Sequence, residues 1–370
     1  MALHSKPKVL LIDELSLGLA PAVVERILPV IKQIADQGTA VIIVEQSVNL
    51  ALTIADRAYF MEKGQIRFDG STKELLNRPD LLRSVFLSNT PISAVETSSK
   101  PSSKETKTIL EIEDMTRSFG GILAVNSVTF DVRSNEIIGI MGPNGAGKTT
   151  LFDLLSGFVP SQGGSIKLLG QDITTKSPAE RSKLGLGRSF QDARLFPSLT
   201  VAEAIAVALE RFTSAKNPIS GALHLPHVSR SEKEIRKQVN DLIELMGLRA
   251  YENKFISELS TGTRRMVDLA CVIAHKPAVV LLDEPSSGIA QKEAEQLSPV
   301  LKRIRNEMNT ALVVIEHDIA LLADLSERFI ALNQGTVIAQ GEPDEVLNNP
   351  TVVSSYLGSS KETIQRSGTL

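Results

Sequence analysis

Residues Gly142–Thr150 read GPNGAGKTT and directly follow the apolar run EIIGIM at Glu136–Met141. The stretch fits the pattern G-x-x-x-x-G-K-[ST] placed between a strand and the helical segment TTLFDLLSGF. Glycines in such a loop let successive backbone N–H groups point at a phosphate, and the amino terminus of the following helix adds its positive end. The sequence therefore predicts a phosphate-binding loop in an α/β domain.

Two side chains of this loop carry the predicted chemistry. Lys148 would reach the β- and γ-phosphates of a nucleoside triphosphate such as ATP, and Thr149 would place its hydroxyl on Mg²⁺. The alternative interpretation is an ordinary glycine-rich turn, which the flanking strand and helix disfavour. The predicted nucleotide contacts in this stretch are Gly142, Asn144, Gly145, Ala146, Gly147, Lys148, Thr149 and Thr150.

Acidic and imidazole side chains follow two further apolar runs. Asp283 and Glu284 follow the run VVLL at Val279–Leu282, and His317 follows ALVVIE. Asp283 is predicted to join the metal's shell, and Glu284 to orient or deprotonate an attacking water. Because strand ends that point at one crevice meet the same ligand, His317 is expected to contact the γ-phosphate. The sequence thus predicts a site that hydrolyses a nucleoside triphosphate.

Composition limits the class of protein and its partners. The chain has 370 residues, 42% of them hydrophobic, and a formal net charge of −3. It can therefore bury a sizeable core, and nucleic acid is not expected as a main partner. Its longest apolar runs are only strand-length, so no membrane span is predicted.

The chain contains an internal repeat, in which Lys6–Phe86 matches Lys276–Tyr356 at an offset of about 270 residues. Strands and helices alternate in both copies, which predicts βα units on a mostly parallel sheet with a small antiparallel edge. A stretch that is helical in period, Val201–Ala274, is interrupted by SAKNPISGALHLPHVSRSE, which we expect to be irregular. The predicted domains are a partial copy at 1–88, a flexible linker at 89–107, a complete domain at 108–358 and a tail at 359–370.

With these motifs the chain resembles the nucleotide-binding subunits of ABC transporters. The resemblance implies an α/β P-loop NTPase with a mostly parallel core sheet, an antiparallel β subdomain and a helical subdomain, preceded by a partial second copy. It places Phe119 against adenine and Gln191 at the Q-loop, as a sensor and metal ligand. LSTGT at Leu259–Thr263 occupies the place of the LSGGQ signature and keeps Ser260 and Gly262, which the family turns toward the γ-phosphate across a dimer.

The resemblance completes the set of predicted site residues. Two threonines depart from the family's signature, replacing a glycine and a glutamine, which leaves the strength of that contact open. The predicted catalytic residues are Lys148, Gln191, Glu284 and His317, and the predicted metal ligands are Thr149, Gln191 and Asp283.

Within the family, RSFQDARLFPSLTVAEAI is similar to the ATPases of branched-chain amino acid importers, and VEQSVNLAL in the first copy to their sister subunit. This similarity implies transmembrane permease subunits and a second ATP-binding domain as partners, either a homodimer mate or the sister subunit. It also implies a cytoplasmic protein, peripheral on the inner face of the cell membrane. The alternative is a soluble tandem ATPase that acts on ribosomes or another assembly, which the short linker and the lack of a basic tract disfavour.

The first copy carries neither a phosphate loop nor a signature. It therefore cannot complete an ATP site with the second domain, which we expect to pair with another copy of itself or with a complete partner. Three hypotheses for residues 1–88 stay open. The chain is a fragment of a longer fusion with Met1 assigned inside the first cassette, or the copy is a regulatory remnant, or it is a passive appendage.

Overall fold

The computed structural model describes residues 7–13, 21–45, 54–62, 64–72, 107–190, 195–210, 226–289 and 291–357. The chain divides into two compact units, Met1–Pro91 with Val353–Leu370 and Ile92–Val352. No helix in these ranges is both long enough and apolar enough to cross a lipid bilayer. The predicted linker lies outside the described residues apart from its last position, and the predicted tail lies wholly outside them.

The first 91 residues contain four described strands and one described helix. In chain order these elements are β1 (Val9–Asp13), α1 (Pro21–Asp36), β2 (Ala40–Val44), β3 (Arg57–Glu62) and β4 (Gln65–Ser71).

The remaining elements belong to the larger unit, except that the last helix runs past its end. In chain order they are β5 (Thr108–Phe119), β6 (Ile122–Arg133), β7 (Ile137–Met141), α2 (Lys148–Ser156), β8 (Gly163–Leu168), β9 (Gln171–Asp172), α3 (Pro178–Leu184), β10 (Leu186–Ser189), α4 (Val201–Leu209), α5 (Pro226–Leu245), α6 (Thr261–Ala274), β11 (Val279–Asp283), α7 (Gln291–Met308), β12 (Ala311–Ile315), α8 (Ile319–Leu325), β13 (Arg328–Asn333), β14 (Thr336–Gly341), α9 (Pro343–Leu347) and α10 (Pro350–Leu357).

A six-stranded sheet forms the core of the larger unit, in the order β10-β11-β12-β7-β13-β14. All neighbouring pairs are parallel except β13 with β14 at one edge. Every residue of β7, β11 and β12 is buried, which accounts for their unbroken apolar sequences, since both faces of a parallel sheet are covered. The predicted core sheet with its antiparallel edge is therefore confirmed.

A second sheet covers one side of this core, with four strands in the antiparallel order β6-β5-β8-β9. Its side chains share one hydrophobic cluster with helix α2 and the core sheet, as the fully buried Ile112, Phe152 and Leu281 show. Burying each such side chain contributes about 1.5–3 kcal/mol. This packing fixes the position of α2 and therefore of the loop that precedes it.

Helices α4, α5 and α6 form the helical part of the larger unit, with α4 in contact with both other helices. A capping box starts α4, because the Thr200 hydroxyl accepts from the Glu203 N–H and the Glu203 carboxylate accepts from the Thr200 N–H. The prediction that SAKNPISGALHLPHVSRSE is irregular was partly wrong. Its last part, from Pro226, is the start of α5, where proline at the first helical position costs no hydrogen bond.

The smaller unit repeats the backbone pairing of the larger one. Strands β1 and β2 pair in parallel, and Asp13 stands opposite Val44 as Asp283 stands opposite Ile315. Strands β3 and β4 form an antiparallel hairpin whose register shifts after Phe60, and the hairpin of β13 and β14 shifts at the corresponding place. The two segments therefore share local structure down to the irregularity of one hairpin.

The same positions differ sharply in burial. Leu11 is 72% exposed and its counterpart Leu281 is 0% exposed, while Met61 is 63% exposed and its counterpart Leu332 is 1% exposed. In the larger unit β7 lies between β12 and β13, whereas β2 and β3 belong to separate two-stranded sheets. The described strands of the smaller unit therefore expose apolar side chains, whereas the corresponding side chains of the larger unit are covered by elements of that same unit, namely β7, α2 and the antiparallel sheet.

This difference predicts unequal protection of the two strand pairs. Backbone amides of β1 and β2 are expected to exchange with solvent at least about a hundredfold faster than those of β11 and β12, because two-stranded sheets open readily. Hydrogen exchange of the full chain, followed by mass spectrometry, measures both pairs in one sample. Equal protection would mean that another part of the protein covers the smaller unit's apolar face.

Candidate active site

Three neighbouring strands end at one edge of the core sheet. Asp283 at the end of β11 stands opposite Ile315 at the end of β12, which stands opposite Ile140 near the end of β7. The strands are parallel, so the segments that follow them emerge side by side. The Gly142–Gly147 loop, Glu284 and His317 consequently lie at the same edge, as the sequence predicts.

The loop after β7 has a backbone that only glycine permits at two places. Gly147 has a φ of 99°, and a Cβ there would lie 2.2 Å from the Ala124 carbonyl oxygen. A Cβ at Gly142 would lie 2.3 Å from the Leu332 carbonyl oxygen. The loop thus fits tightly between its neighbours and leads directly into α2, whose first residue is Lys148.

Lys148 folds back over this loop. Its Nζ donates to the carbonyl oxygens of Gly142, at 2.7 Å, and Pro143, at 3.1 Å. Burial lowers the pKa of the ammonium, and the nearby charges of Glu284 and Asp283 oppose that change. Lys148 therefore places a cation on the loop and near the two carboxylates, where it could bind a phosphate group.

Asp283 is buried at the end of β11 and faces Arg188 of β10. Its Oδ2 lies 3.5 Å from Arg188 Nη2, while Arg188 Nη1 bonds Asp153 Oδ1 at 2.7 Å. Burial raises the pKa of Asp283, and Arg188 acts in the opposite direction. Sequence analysis missed Arg188. The signal for it was its position as a charged residue near the end of β10, shortly before Gln191.

Glu284 and His317 form a polar pair at the same edge. His317 Nε2 lies 2.7 Å from Glu284 Oε1, and this hydrogen bond lowers the pKa of the Glu284 carboxyl. The His317 side chain is 51% exposed and the Glu284 side chain is 20% exposed, so solvent reaches the pair from the His317 side. An ionised carboxylate held beside an imidazole is suited to bind and polarise a water molecule.

A second glutamate, which the sequence analysis missed, orders the backbone around this pair. Glu316 is 4% exposed and accepts hydrogen bonds from the N–H groups of Ser286, at 2.6 Å, and His317, at 3.1 Å. Burial raises the pKa of its carboxyl. The signal for Glu316 was an acidic residue directly after the five fully buried residues of β12.

The predicted signature residues lie at the start of helix α6. Ser260 caps the helix, its Oγ accepting from the Thr263 N–H at 3.1 Å and lying 2.9 Å from Thr263 Oγ1. Gly262 and Thr263 are buried. The threonine that replaces the family's glutamine therefore engages the serine hydroxyl within the same helical turn.

Phe119 ends strand β5 and is 44% exposed, with the Arg117 guanidinium 4.7 Å from its ring centroid. The next strand carries Ala124, whose carbonyl approaches Gly147, so this ribbon borders the loop. Asn144, Gly145 and Thr149 are exposed, while the Ala146 side chain is in the core and leaves only its backbone for a ligand. Gln191 lies outside the described residues.

These residues fit a nucleoside triphosphate with Mg²⁺. The loop leads into the amino terminus of α2, whose positive end favours a phosphate, and its close fit against the Ala124 and Leu332 carbonyls fixes its backbone. Within the described ranges no group of three or more His, Cys, Asp or Glu side chains could hold a metal ion. The hydroxyl of the exposed Thr149 and the Asp283 carboxylate would supply oxygen ligands, which suits a cation that takes its remaining ligands from water and phosphate.

Comparison with known proteins identifies the family. The model described as "ABC transporter" matches residues 125–287, and the model described as "Branched-chain amino acid ATP-binding cassette transporter" matches residues 336–362. The chain is 36% identical over 250 residues to the high-affinity branched-chain amino acid transport ATP-binding protein LivG of Salmonella typhimurium, covering 68% of this chain and 98% of that protein. The chain belongs to the ABC transporter ATP-binding family.

Other relatives of this ABC cassette agree. BraF of Pseudomonas aeruginosa, a high-affinity branched-chain amino acid transport ATP-binding protein, is 35% identical over 250 residues, 68% of this chain and 98% of that protein. The crystal structure of the ADP conformation of MJ1267, an ATP-binding cassette of an ABC transporter, superposes with a TM-score of 0.58 at 26% identity, covering 69% of this chain and 100% of that chain. The chain is accordingly an ATP-binding and ATP-hydrolysing cassette.

One relative extends into the repeat. A putative ABC transporter ATP-binding protein of Methanosarcina acetivorans is 28% identical over 333 residues, which cover 90% of this chain and 59% of that protein. Residues 89–370 number fewer than 333, so the match includes part of the first copy. Similarity to ABC cassettes therefore extends beyond the larger unit.

Gly147→Ala is expected to weaken ATP binding at least about tenfold, because the added Cβ collides with the Ala124 carbonyl and must displace the phosphate loop. Gly145→Ala is the matched control: Gly145 also has a positive φ, of 81°, but its Cβ would meet nothing within 4 Å. Equilibrium binding of a fluorescent ATP analogue compares the two variants. Equal losses would show that backbone strain, and not the contact with Ala124, controls the loop.

Proposed function

We propose that this chain is the ATPase subunit of an ABC importer for branched-chain or related hydrophobic amino acids. The relatives named LivG and BraF, at 36% and 35% identity, and the matching carboxy-terminal segment 336–362 support this substrate class. No observation favours action on ribosomes. The protein would sit on the cytoplasmic face of the membrane, bound to transmembrane permease subunits that carry the amino acid.

The bond between His317 and Glu284 is the observation that carries the proposed mechanism. The Glu284 carboxylate can accept a hydrogen bond, and then a proton, from the attacking water, while the bond from His317 holds it in one position and lowers its pKa. The imidazole would keep the carboxylate in place and would also contact the γ-phosphate. As the water gives its proton to Glu284, its oxygen would bond to the γ-phosphorus while the bond from that phosphorus to the β–γ bridging oxygen breaks, which releases ADP and inorganic phosphate.

The remaining predicted residues bind and orient the substrate. Backbone N–H groups of the Gly142–Gly147 loop and the Lys148 ammonium would bind the phosphates, while the exposed Phe119 ring would stack on adenine. Thr149 and Asp283, with Gln191, would hold Mg²⁺. When bound, that ion neutralises charge that develops on the phosphate oxygens.

A second ATP-binding domain is needed to complete the site. Ser260 and Gly262 of one domain would face the γ-phosphate bound by another, in a homodimer or with a sister subunit. Residues 1–88 act in this proposal as the carboxy-terminal part of a second cassette, as the shared strand register and hairpin shift indicate. They supply neither a phosphate loop nor a signature, so they do not provide the missing domain.

Glu284→Gln is expected to reduce ATP hydrolysis at least about a hundredfold while ATP still binds, because the amide keeps the shape of the side chain but accepts no proton. The internal repeat provides a control, since Glu14→Gln makes the same change at the corresponding position of the first copy. Phosphate release and nucleotide binding are measured on the full chain. Loss of hydrolysis in the Glu14 variant would show that the first copy takes part in catalysis.

Cells that depend on this cassette are expected to lose uptake of radiolabelled leucine when Lys148 is replaced by Ala. The variant lacks the ammonium proposed to bind the phosphates of ATP, so it cannot power transport. Uptake of labelled lysine serves as the control for membrane energisation. Unchanged leucine uptake in cells that produce the inactive chain would refute the proposed substrate class and leave the ATPase assignment intact.

A further inference from the structure

Arg265 connects helix α6 to the main chain of Glu284. Its Nη1 donates to the Glu284 carbonyl oxygen at 2.7 Å, and the side chain is partly buried. The sequence motifs assign no role to this arginine. The contact is made to the residue that the proposed mechanism uses as its base, but on the backbone and not on the carboxylate.

The backbone of Glu284 needs such support. Its φ is +47°, in the left-handed region that side-chain-bearing residues rarely adopt. The next residue is Pro285, and a residue before proline prefers extended backbone. A conformation of this kind persists only where its surroundings hold it.

Hydrogen bonds hold this residue from both sides. The Glu284 N–H donates to the Ile315 carbonyl at 2.9 Å, and the Glu284 carbonyl accepts from Arg265 and, at 3.1 Å, from the Ser287 N–H. The first bond ties Glu284 to strand β12, which leads to His317. Of these three bonds, the one from Arg265 comes from helix α6.

The bond from Arg265 links Glu284 to helix α6, which begins at the predicted signature residues. Its cap and first turn contain Ser260 and Gly262, the residues proposed to meet ATP on another domain. One turn beyond Arg265, Asp268 Oδ2 accepts from Ser189 Oγ of strand β10 at 2.9 Å. The helix is thus bonded to two places beside the site, the end of β10 and the turn after β11.

We propose that Arg265 is a positioning residue for ATP hydrolysis. It holds the Glu284 main chain so that the carboxylate meets His317 and the attacking water, and it makes the position of Glu284 depend on the helix that begins at the signature segment. The inference rests on the proposed role of Glu284 and adds to it a residue that touches neither ATP nor the reacting atoms.

The test compares Arg265→Gln with Arg265→Lys in the full chain, with Arg264→Gln as a matched control on the adjacent, exposed arginine. Arg265→Gln is expected to lower kcat about tenfold to a hundredfold, because a misplaced Glu284 carboxylate would meet the attacking water in the reactive geometry less often. The Kd for ATP should change by less than about twofold, and the melting temperature should be retained. Arg265→Lys keeps a cationic donor and should recover part of kcat, whereas Arg264→Gln should match the unsubstituted chain.

Two results would overturn the inference. One is an unchanged kcat in Arg265→Gln; the other is a fall in ATP affinity and melting temperature that accounts for the lost activity, which would mark a purely structural arginine. If Arg265→Gln fails to fold, the Lys variant decides by the same division between kcat and Kd. Normal hydrolysis in Glu284→Gln would instead refute the proposed base itself, so the two failures are distinguishable.

Discussion

The parallel pairing of β11 with β12 and of β12 with β7 is the constraint on which the rest of the site depends. It aligns Asp283 with Ile315 and Ile315 with Ile140, so that three separate chain segments emerge at one edge. The phosphate loop, the Glu284 carboxylate and the His317 imidazole lie in separate parts of the sequence. The pairing of the strands brings them to the same edge. Because every residue of these three strands is buried, a shift in register would draw the charged residues at the strand ends into the core, where an unpaired charge is costly.

The smaller unit shows how much of this arrangement is local. Its strands reproduce the pairing of β11 with β12 and the shifted hairpin of β13 with β14, so short-range sequence is enough to specify those pairs. Burial is a different matter, since Leu11 and Met61 are largely exposed where their counterparts are buried. What the larger unit adds is β7, with its loop, helix α2 and the antiparallel sheet. The elements that bind phosphate are thus also those that complete the core.

Sequence reasoning predicted the residues that follow strand ends in recognisable motifs, namely Lys148, Asp283, Glu284 and His317. It missed Arg188, Glu316 and Arg265, because a charged residue at a strand end or in a helix does not show which groups it will contact in three dimensions. Arg188 reaches Asp283 from a neighbouring strand, and Arg265 reaches Glu284 from a helix. The start of α5 at Pro226 was missed for a different reason, since its first turn lacks an apolar period.

The position of ATP in this site is the most direct test of the account. A crystal structure of the full chain with Mg²⁺ and a non-hydrolysable ATP analogue should show the γ-phosphate between Lys148 and the pair formed by Glu284 and His317. Lys148 Nζ should then have exchanged at least one of its bonds to the Gly142 and Pro143 carbonyls for a phosphate oxygen. An analogue bound elsewhere, or a Lys148 that keeps both carbonyl bonds and touches no phosphate, would contradict it.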